Sequence, residues 1–295
     1  MLSRGNKKTG KEKYMARFTN QAQLRYGRSI ANSNIAVGEI LEVLSAAKEA
    51  VRNTYRQNDT ITYVISIVNA GTLAYTGLTI TDNLGAYSYN TTSLVPLDYM
   101  EGTAKYYING VLQPAPAATA GPPLVINGIT AGGNAVIVYE AEVNPYAPLA
   151  ATGNIVNTAT ITGGGITPIE VTETVVTDNE PLLNITKSIS PVPVTENGTL
   201  TYTFLIQNTG NTAADAATAA EIIDTFDPIL SNIAVSYNGT ALAAGTDYTY
   251  NEATGLFATT AGRITVPAAA YTQDPATGNW IVTPGTGTLT VTGTI

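Results

Sequence analysis

The stretch Asn58-Asp-Thr-Ile-Thr-Tyr-Val-Ile-Ser-Ile-Val-Asn69-Ala-Gly71 opens on a turn pair, alternates apolar and polar residues, and closes on Asn-x-Gly. A period of two puts Ile61, Tyr63, Ile65 and Ile67 on one face of a strand. The same design returns as Asn197-Gly-Thr-Leu-Thr-Tyr-Thr-Phe-Leu-Ile-Gln-Asn208-Thr-Gly210, with Leu200, Tyr202, Phe204 and Ile206 sharing the equivalent face. Further along, Leu78-Thr-Ile-Thr-Asp82 matches Glu221-Ile-Ile-Asp224, and the hairpin signal Tyr107-Ile-Asn-Gly110 matches Ser236-Tyr-Asn-Gly239. Short strands with regular turn signals predict an all-β chain of two immunoglobulin-like β-sandwich domains. The helix-like stretch from Gly38 to Arg56 reads as a first strand, by its match to Leu182–Pro193. The Pro- and Ala-rich stretches 113–123 and 267–285 read as loops.

The repeats are unequal. The first closes with Ile155-Val-Asn-Thr-Ala-Thr-Ile161, a Gly-rich turn, and Ile169-Glu-Val-Thr-Glu-Thr-Val-Val176. The second runs to Leu289-Thr-Val-Thr-Gly-Thr-Ile295, which matches Ile137 to Val143, and shows no such closing hairpin. A copy of that hairpin stands at the other end as Phe18-Thr-Asn-Gln-Ala-Gln-Leu24, Arg25-Tyr-Gly-Arg28, and Ser29 to Val37. The expected layout is a flexible basic tail over 1–17, a donor hairpin over 18–38, a complete sandwich over 39–178 and an incomplete acceptor sandwich over 179–295. Such a chain is completed by another copy of itself, added to an open sheet edge. Phe18, Ala22, Leu24, Tyr26, Ile30 and Ile35 are the donor residues expected to carry that contact, with Phe18, Leu24 and Ile35 in the places of Ile155, Ile161 and Val175.

Composition narrows the chemistry. The chain has no Cys and no His, which removes thiolate sites, disulfides and the commonest general base and zinc ligand. No cofactor or metal is expected, and an enzyme acting on a diffusible substrate is disfavoured. Net charge is −8, yet residues 1–28 hold Arg4, Lys7, Lys8, Lys11, Lys13, Arg17, Arg25 and Arg28 against Glu12 alone. A basic head and an acidic body attract between copies. The acidic body repels phosphates, so nucleic acid is not an expected partner. Neither a signal peptide nor an apolar run long enough to span a bilayer is visible.

Three polar residues fall in phase with core positions in both repeats. Lys48 is in phase with Leu44, Ala46 and Ala50; Lys187 is in phase with Leu183, Ile185 and Ile189. Asp82 follows Leu78 and Ile80, and Asp224 lies between Ile222 and Phe226. Asn157 is in phase with Ile155, Ala159 and Ile161, and Asn20 with Phe18, Ala22 and Leu24. A buried Lys needs a partner. Lys, Asn and a carboxylate are also the parts of a spontaneous isopeptide bond. Burial makes the amine nucleophilic and lets the acid shuttle a proton. A buried Lys–Asp ion pair with Asn completing its hydrogen bonds accounts for the same pattern.

The Tyr-x-Ile/Phe-x-Ile-x-Asn-x-Gly strand followed by an Ile-x-Asp or Ile-Asp strand resembles a bacterial conserved surface-repeat family, domain of unknown function eleven. That resemblance spans most of residues 40–295 and implies surface stalks or, in spore-formers, subunits of spore appendages. The polar set resembles the isopeptide domains of Gram-positive pili, where a first-strand Lys joins a last-strand Asn beside an acid. By that likeness Lys48 joins Asn157 with Asp82 assisting, and Lys187 joins Asn20 of a neighbour with Asp224 assisting. The expectation is therefore a structural subunit of an extracellular or spore-surface filament, built head to tail without a recognisable signal peptide and held by an unidentified surface anchor. Two alternatives stand beside it. One is an adhesin or stalk with a ligand site, for which the loop Leu97–Gly121 with Tyr99, Tyr106 and Tyr107 is the candidate. The other is a circular permutant in which the hairpin closes its own second domain.

Overall fold

The computed structural model describes residues 16–40, 43–114, 124–126 and 128–295. The basic tail, apart from its last two residues, and the end of the 97–121 loop fall outside them. An N-terminal hairpin comprises β1 (Ala16–Asn20), β2 (Gln23–Tyr26), β3 (Ser29–Asn32) and β4 (Ala36–Ile40). The first sandwich follows with β5 (Leu44–Ala50), β6 (Thr54–Tyr55), β7 (Thr60–Asn69), β8 (Leu78–Asp82), β9 (Tyr87–Tyr89), β10 (Thr92–Leu94), β11 (Leu97–Tyr99), β12 (Lys105–Ile108), β13 (Val111–Leu112), β14 (Leu124–Ile126), β15 (Asn134–Val143), β16 (Asn154–Gly163) and β17 (Ile169–Thr177). The second contains β18 (Leu183–Ser190), β19 (Thr199–Asn208), β20 (Ile223–Thr225), β21 (Ser231–Tyr237), β22 (Thr240–Ala241), β23 (Tyr248–Asn251), β24 (Leu256–Thr259), β25 (Ala270–Gln273), β26 (Trp280–Thr283) and β27 (Gly285–Thr294).

In the first sandwich one sheet runs β13-β12-β15-β7-β5, with β11 also on β15, and the other runs β14-β8-β16-β17-β6. Alternation decides what is buried. Ile61, Tyr63, Ile65 and Ile67 of β7 are fully buried, and so are Ile155, Asn157, Ala159 and Ile161 of β16. β17 lies over β5 and closes the core. The second sandwich repeats the first sheet as β18-β19-β27-β21-β22, but its other sheet is only β20-β24-β23. β20 answers to β8 and β24 to β14. Among the described residues no strand occupies the edge of β20 that β16 covers on β8, and none lies over β18.

Exposure records the consequence. Every residue of β18 is exposed, including Leu183, Ile185 and Ile189, whereas β5 is half-buried with Lys48 fully buried. From Phe18 to Val37 the hairpin is exposed, so Phe18, Leu24, Tyr26, Ile30, Ile35 and Val37 all face solvent. Its strands pair only with one another among the described residues.

Two sequence expectations are corrected. The stretch 267–285 is not a loop: β25 and β26 form an antiparallel hairpin that packs Tyr271, Trp280 and Val282 on the first core. The Trp280 amide donates to the Pro145 carbonyl at 3.0 Å, and Gln273 Nε2 to the Tyr87 hydroxyl at 2.8 Å. The turn between these strands, Asp274–Asn279, is held by Asp274 Oδ1 accepting from the amides of Ala276 and Thr277, which a Pro-Gly count does not reveal. Tyr106 is buried in the first core, and Tyr99 packs beside Tyr139 with ring centres 6.2 Å apart, so these rings are not an exposed ligand platform.

Candidate functional site: a matched Lys–Asp pair in each sandwich

β5 and β7 place Lys48 opposite Ile65, pointing into the first core, and β8 brings Asp82 to meet it. Lys48 Nζ lies 2.6 Å from Asp82 Oδ2, with both side chains essentially inaccessible. The ammonium also lies 5.0 Å from the ring centre of Tyr63. Tyr139, on β15, donates its hydroxyl hydrogen to the same carboxylate oxygen at 2.5 Å. Asn157 Nδ2 donates to the Tyr139 oxygen at 3.1 Å. One continuous chain of hydrogen bonds therefore runs Lys48, Asp82, Tyr139, Asn157. Among the described residues no donor reaches the buried Asn157 side-chain carbonyl oxygen.

Burial dominates the electrostatics. Desolvation lowers the Lys48 ammonium from 10.5 to about 8, against the attraction of Asp82 and, more weakly, Glu173. Burial also raises the Tyr139 and Tyr63 hydroxyls well above their ordinary value. A lysine poised near 8 has a neutral, nucleophilic fraction at ordinary pH that an exposed lysine lacks.

The second sandwich builds half of the same site. Lys187 sits opposite Phe204 and its Nζ bonds Asp224 Oδ2. Tyr202 and Phe226, stacked with centres 4.8 Å apart, flank the ammonium, which lies 4.3 Å from the Tyr202 ring centre. The Lys187 side chain is 38% exposed and that of Asp224 is 20% exposed, against 0% and 1% in the first sandwich. Asn20 is not among its neighbours; it stands exposed on the free hairpin.

The hairpin's register sorts the expected donor residues. Phe18 pairs with Gly38, Asn20 with Ala36 and Leu24 with Ala31. The Ser33 amide bonds the Ala22 carbonyl. Partners across an antiparallel ladder share a face. Phe18, Asn20, Ala22, Leu24 and Tyr26 therefore line one face, with only small residues behind them. The Phe18 ring covers Gly38 so closely that a Cβ there would lie 2.2 Å from its Cζ. Ile30 pairs with Arg25 and so takes the opposite face, and Ile35 falls in the bulge between the two ladders. Gly38, not Ile35, answers to Val175, which pairs with Ile155.

Two participants escaped the sequence reading. Tyr139 was hidden because its counterpart in the second repeat is Val291, paired with Tyr202 as Tyr139 is with Tyr63. Glu173, paired with Asn157 and facing Lys48, answers to Ala36 of the hairpin. The inward alternation of β15 and β17 was the available signal for both.

The sequence matches no family profile and no curated protein. Among solved structures the chain is similar to the pilus backbone RrgB of Streptococcus pneumoniae, at 13% identity and a TM-score of 0.32, over 82% of this chain and 55% of that one. It is also similar to BcpA, the major pilin subunit of Bacillus cereus, at 13% identity and a TM-score of 0.32, over 92% of this chain and 73% of that one. The chain thus spans little more than half of that streptococcal pilus-backbone chain and 41% of the full-length RrgB structure.

Proposed function

We propose that this chain is a structural subunit of a bacterial surface filament, joined head to tail by donation of its N-terminal hairpin to the second sandwich of the next copy. The observation that carries this reading is a pair of complementary exposures. Lys187 and its strand lie open where Lys48 is covered by β16 and β17, and a hairpin with the β16 pattern lies unpacked elsewhere in the same chain. Unsatisfied strand edges and exposed apolar faces both drive association.

Closure within one chain is disfavoured by geometry. β4 leads into β5 at the Asn69 end of β7, since Leu44 pairs with Asn69. The second sandwich meets the first at the opposite end, where Asn211 Nδ2 bonds the Leu149 carbonyl and Arg56 reaches Asp178 and Glu180. The intervening ten-residue strand is about 33 Å long. Ile40 at the end of β4 and Leu44 at the start of β5 are four Cα steps apart, so at most about 15 Å.

Docking brings Asn20 to Lys187 and Asp224, and both sites then form the bond by one chemistry. Neutral Lys Nζ attacks Asn Cγ. The new C–N bond replaces Cγ–Nδ2, the amine proton passes by way of the Asp carboxylate to the departing nitrogen, and ammonia leaves. In the first sandwich Tyr139 bridges Asp82 to Asn157 Nδ2 and lies on that proton path. Bacterial surface or spore-surface placement follows from the family resemblance. The test is removal of residues 1–37: the shortened chain should stay monomeric with its first sandwich folded, while the full chain sediments as long oligomers visible as filaments. Filaments of normal length from the shortened chain would overturn strand donation.

A further inference from the structure

We infer that Arg25 of one copy and Glu221 of the next form a cross-strand ion pair that fixes the register of the donated hairpin. The inference rests on the strand-donation reading and adds to it a specific contact. It follows from superposing two observed ladders. In the first sandwich β16 pairs with β8 as Ala159↔Asp82, Thr160↔Thr81, Ile161↔Ile80 and Thr162↔Thr79. β20 and the residues before it match β8: Asp224 receives Lys187 as Asp82 receives Lys48, and Ile222 is buried as Ile80 is. The Thr259 amide bonds the Ile222 carbonyl and the Ile222 amide donates to Thr259 Oγ1, so Ile222 stays tied to the end of β24 just before β20 begins. Glu221 then stands where Thr79 stands.

The donor side matches as firmly. Ala22 and Leu24 take the places of Ala159 and Ile161, so Arg25 takes that of Thr162. The bulge lies in the other strand of the hairpin, between Ser33 and Ala36, leaving the alternation from Phe18 to Tyr26 unbroken. A neutral Thr–Thr pair inside the first sandwich becomes Arg opposite Glu at the junction. Directly opposed residues have Cβ atoms about 5 Å apart, within reach of a charged contact. Both residues are exposed in the free subunit, and Ile30 stands beside Arg25 to cover its aliphatic stem.

The pair does what the apolar pattern cannot. A slip of one residue turns Phe18 and Leu24 outward and is rejected by hydrophobicity, but a slip of two keeps them inward. Such a slip sets Arg25 opposite Ile223 or Ala219, neither of which is acidic.

Charge reversal tests the contact in the full chain. Arg25→Glu alone and Glu221→Arg alone should each assemble at roughly one tenth of the wild-type initial rate at low salt, and 1 M salt should narrow the gap. An equal mixture of the two should recover the wild-type rate, because each head then meets a complementary acceptor, and labelled filaments should alternate. Circular dichroism melts of both variants should match wild type, since neither residue is in a core. Single reversals assembling at the wild-type rate at low salt, or a mixture no better than its components, would overturn the pair. If the chain lacking residues 1–37 still polymerises, strand donation fails. If it does not, yet the reversals assemble normally, only the ion pair fails.

Discussion

Lys48 and Lys187 occupy the same register position, opposite Ile65 and Phe204 on equivalent strands, and each bonds the equivalent Asp, yet one side chain is sealed and the other is 38% exposed. The difference is one layer of structure. β16 and β17 cover Lys48, and among the described residues no strand lies over Lys187. The half-open ion pair lies beside the exposed Ile185 and Ile189, an apolar strand face of the kind that favours association.

Leu24 should be the most sensitive donor position. It answers to Ile161, which is fully buried. Leu24→Asp would bury an unpaired carboxylate at the junction, at a cost of about 3–5 kcal/mol. Sedimentation should show monomers. Gln23→Asp, on the outward face, should assemble nearly as wild type. Equal assembly by both variants would show that the Leu24 face is not buried.

A covalent lock would have its own signature. Each bond releases one ammonia, so the intact mass should fall by that amount for Lys48–Asn157 and again for each Lys187–Asn20 junction. Boiled wild-type filaments should run as a ladder in detergent gels, and Lys187→Ala or Asn20→Ala should collapse it to monomer. Strand exchange can persist in those variants, since the apolar face is intact. An unmodified mass from assembled wild type would dismiss the bonds and leave donation standing.

A period of two carried much of this architecture in the sequence. It put Ile61 to Ile67 in a core and set Lys48, Asp82 and Asn157 inward, because alternation is enforced wherever one face is buried. It failed where chain geometry departs from strict alternation. The extra residue near Ile35 shifts the phase of the second donor strand, so Gly38 rather than Ile35 answers to Val175. Comparing the repeats concealed Tyr139, because Val291 has no hydroxyl to match. The β25–β26 hairpin was obscured by its flanking Pro, Ala and Gly, and what orders it is contact with the other domain.

Tyr139→Phe isolates the bridging hydroxyl. It removes the donor to Asp82 and the acceptor of Asn157 while keeping the ring that stacks on Tyr63 at 5.5 Å. Losing those buried bonds should lower the first sandwich's stability by about 1–3 kcal/mol in urea melts. If the hydroxyl lies on the proton path, the first-sandwich bond should also form more slowly, read as delayed loss of ammonia in freshly refolded protein. Unchanged kinetics with lowered stability would assign Tyr139 a structural role only.

Trp280 should control the joint between the sandwiches. Its amide and ring anchor the β25–β26 hairpin on the first core, at the end where Arg56 clamps Asp178 and Glu180. Trp280→Gly should loosen this contact and speed proteolytic cutting between Thr177 and Leu183 several-fold, without lowering the melting of either core. Cutting rates equal to wild type would show that the clamp at Arg56 suffices.

The buried lysine predicts an alkaline optimum in the absence of its bond. Asn157→Ala cannot form the first-sandwich isopeptide, so Lys48 remains titratable. Its folded value of about 8 lies below 10.5. Between those values the unfolded chain holds a proton that the folded one has released, so stability rises with pH across that window. Tyr55, Tyr63 and Tyr139 act oppositely, because burial raises all three above 10.0. From about pH 10 upward the unfolded tyrosines ionise while the folded ones keep their protons, and stability falls. The urea midpoint of Asn157→Ala should therefore climb from about pH 8 to about pH 10 and then drop. Adding Lys48→Met should flatten the climb and leave the drop. A climb that survives Lys48→Met would place its origin elsewhere. Wild type that has formed the bond should resemble the double variant, because an amide nitrogen no longer binds a proton in this range.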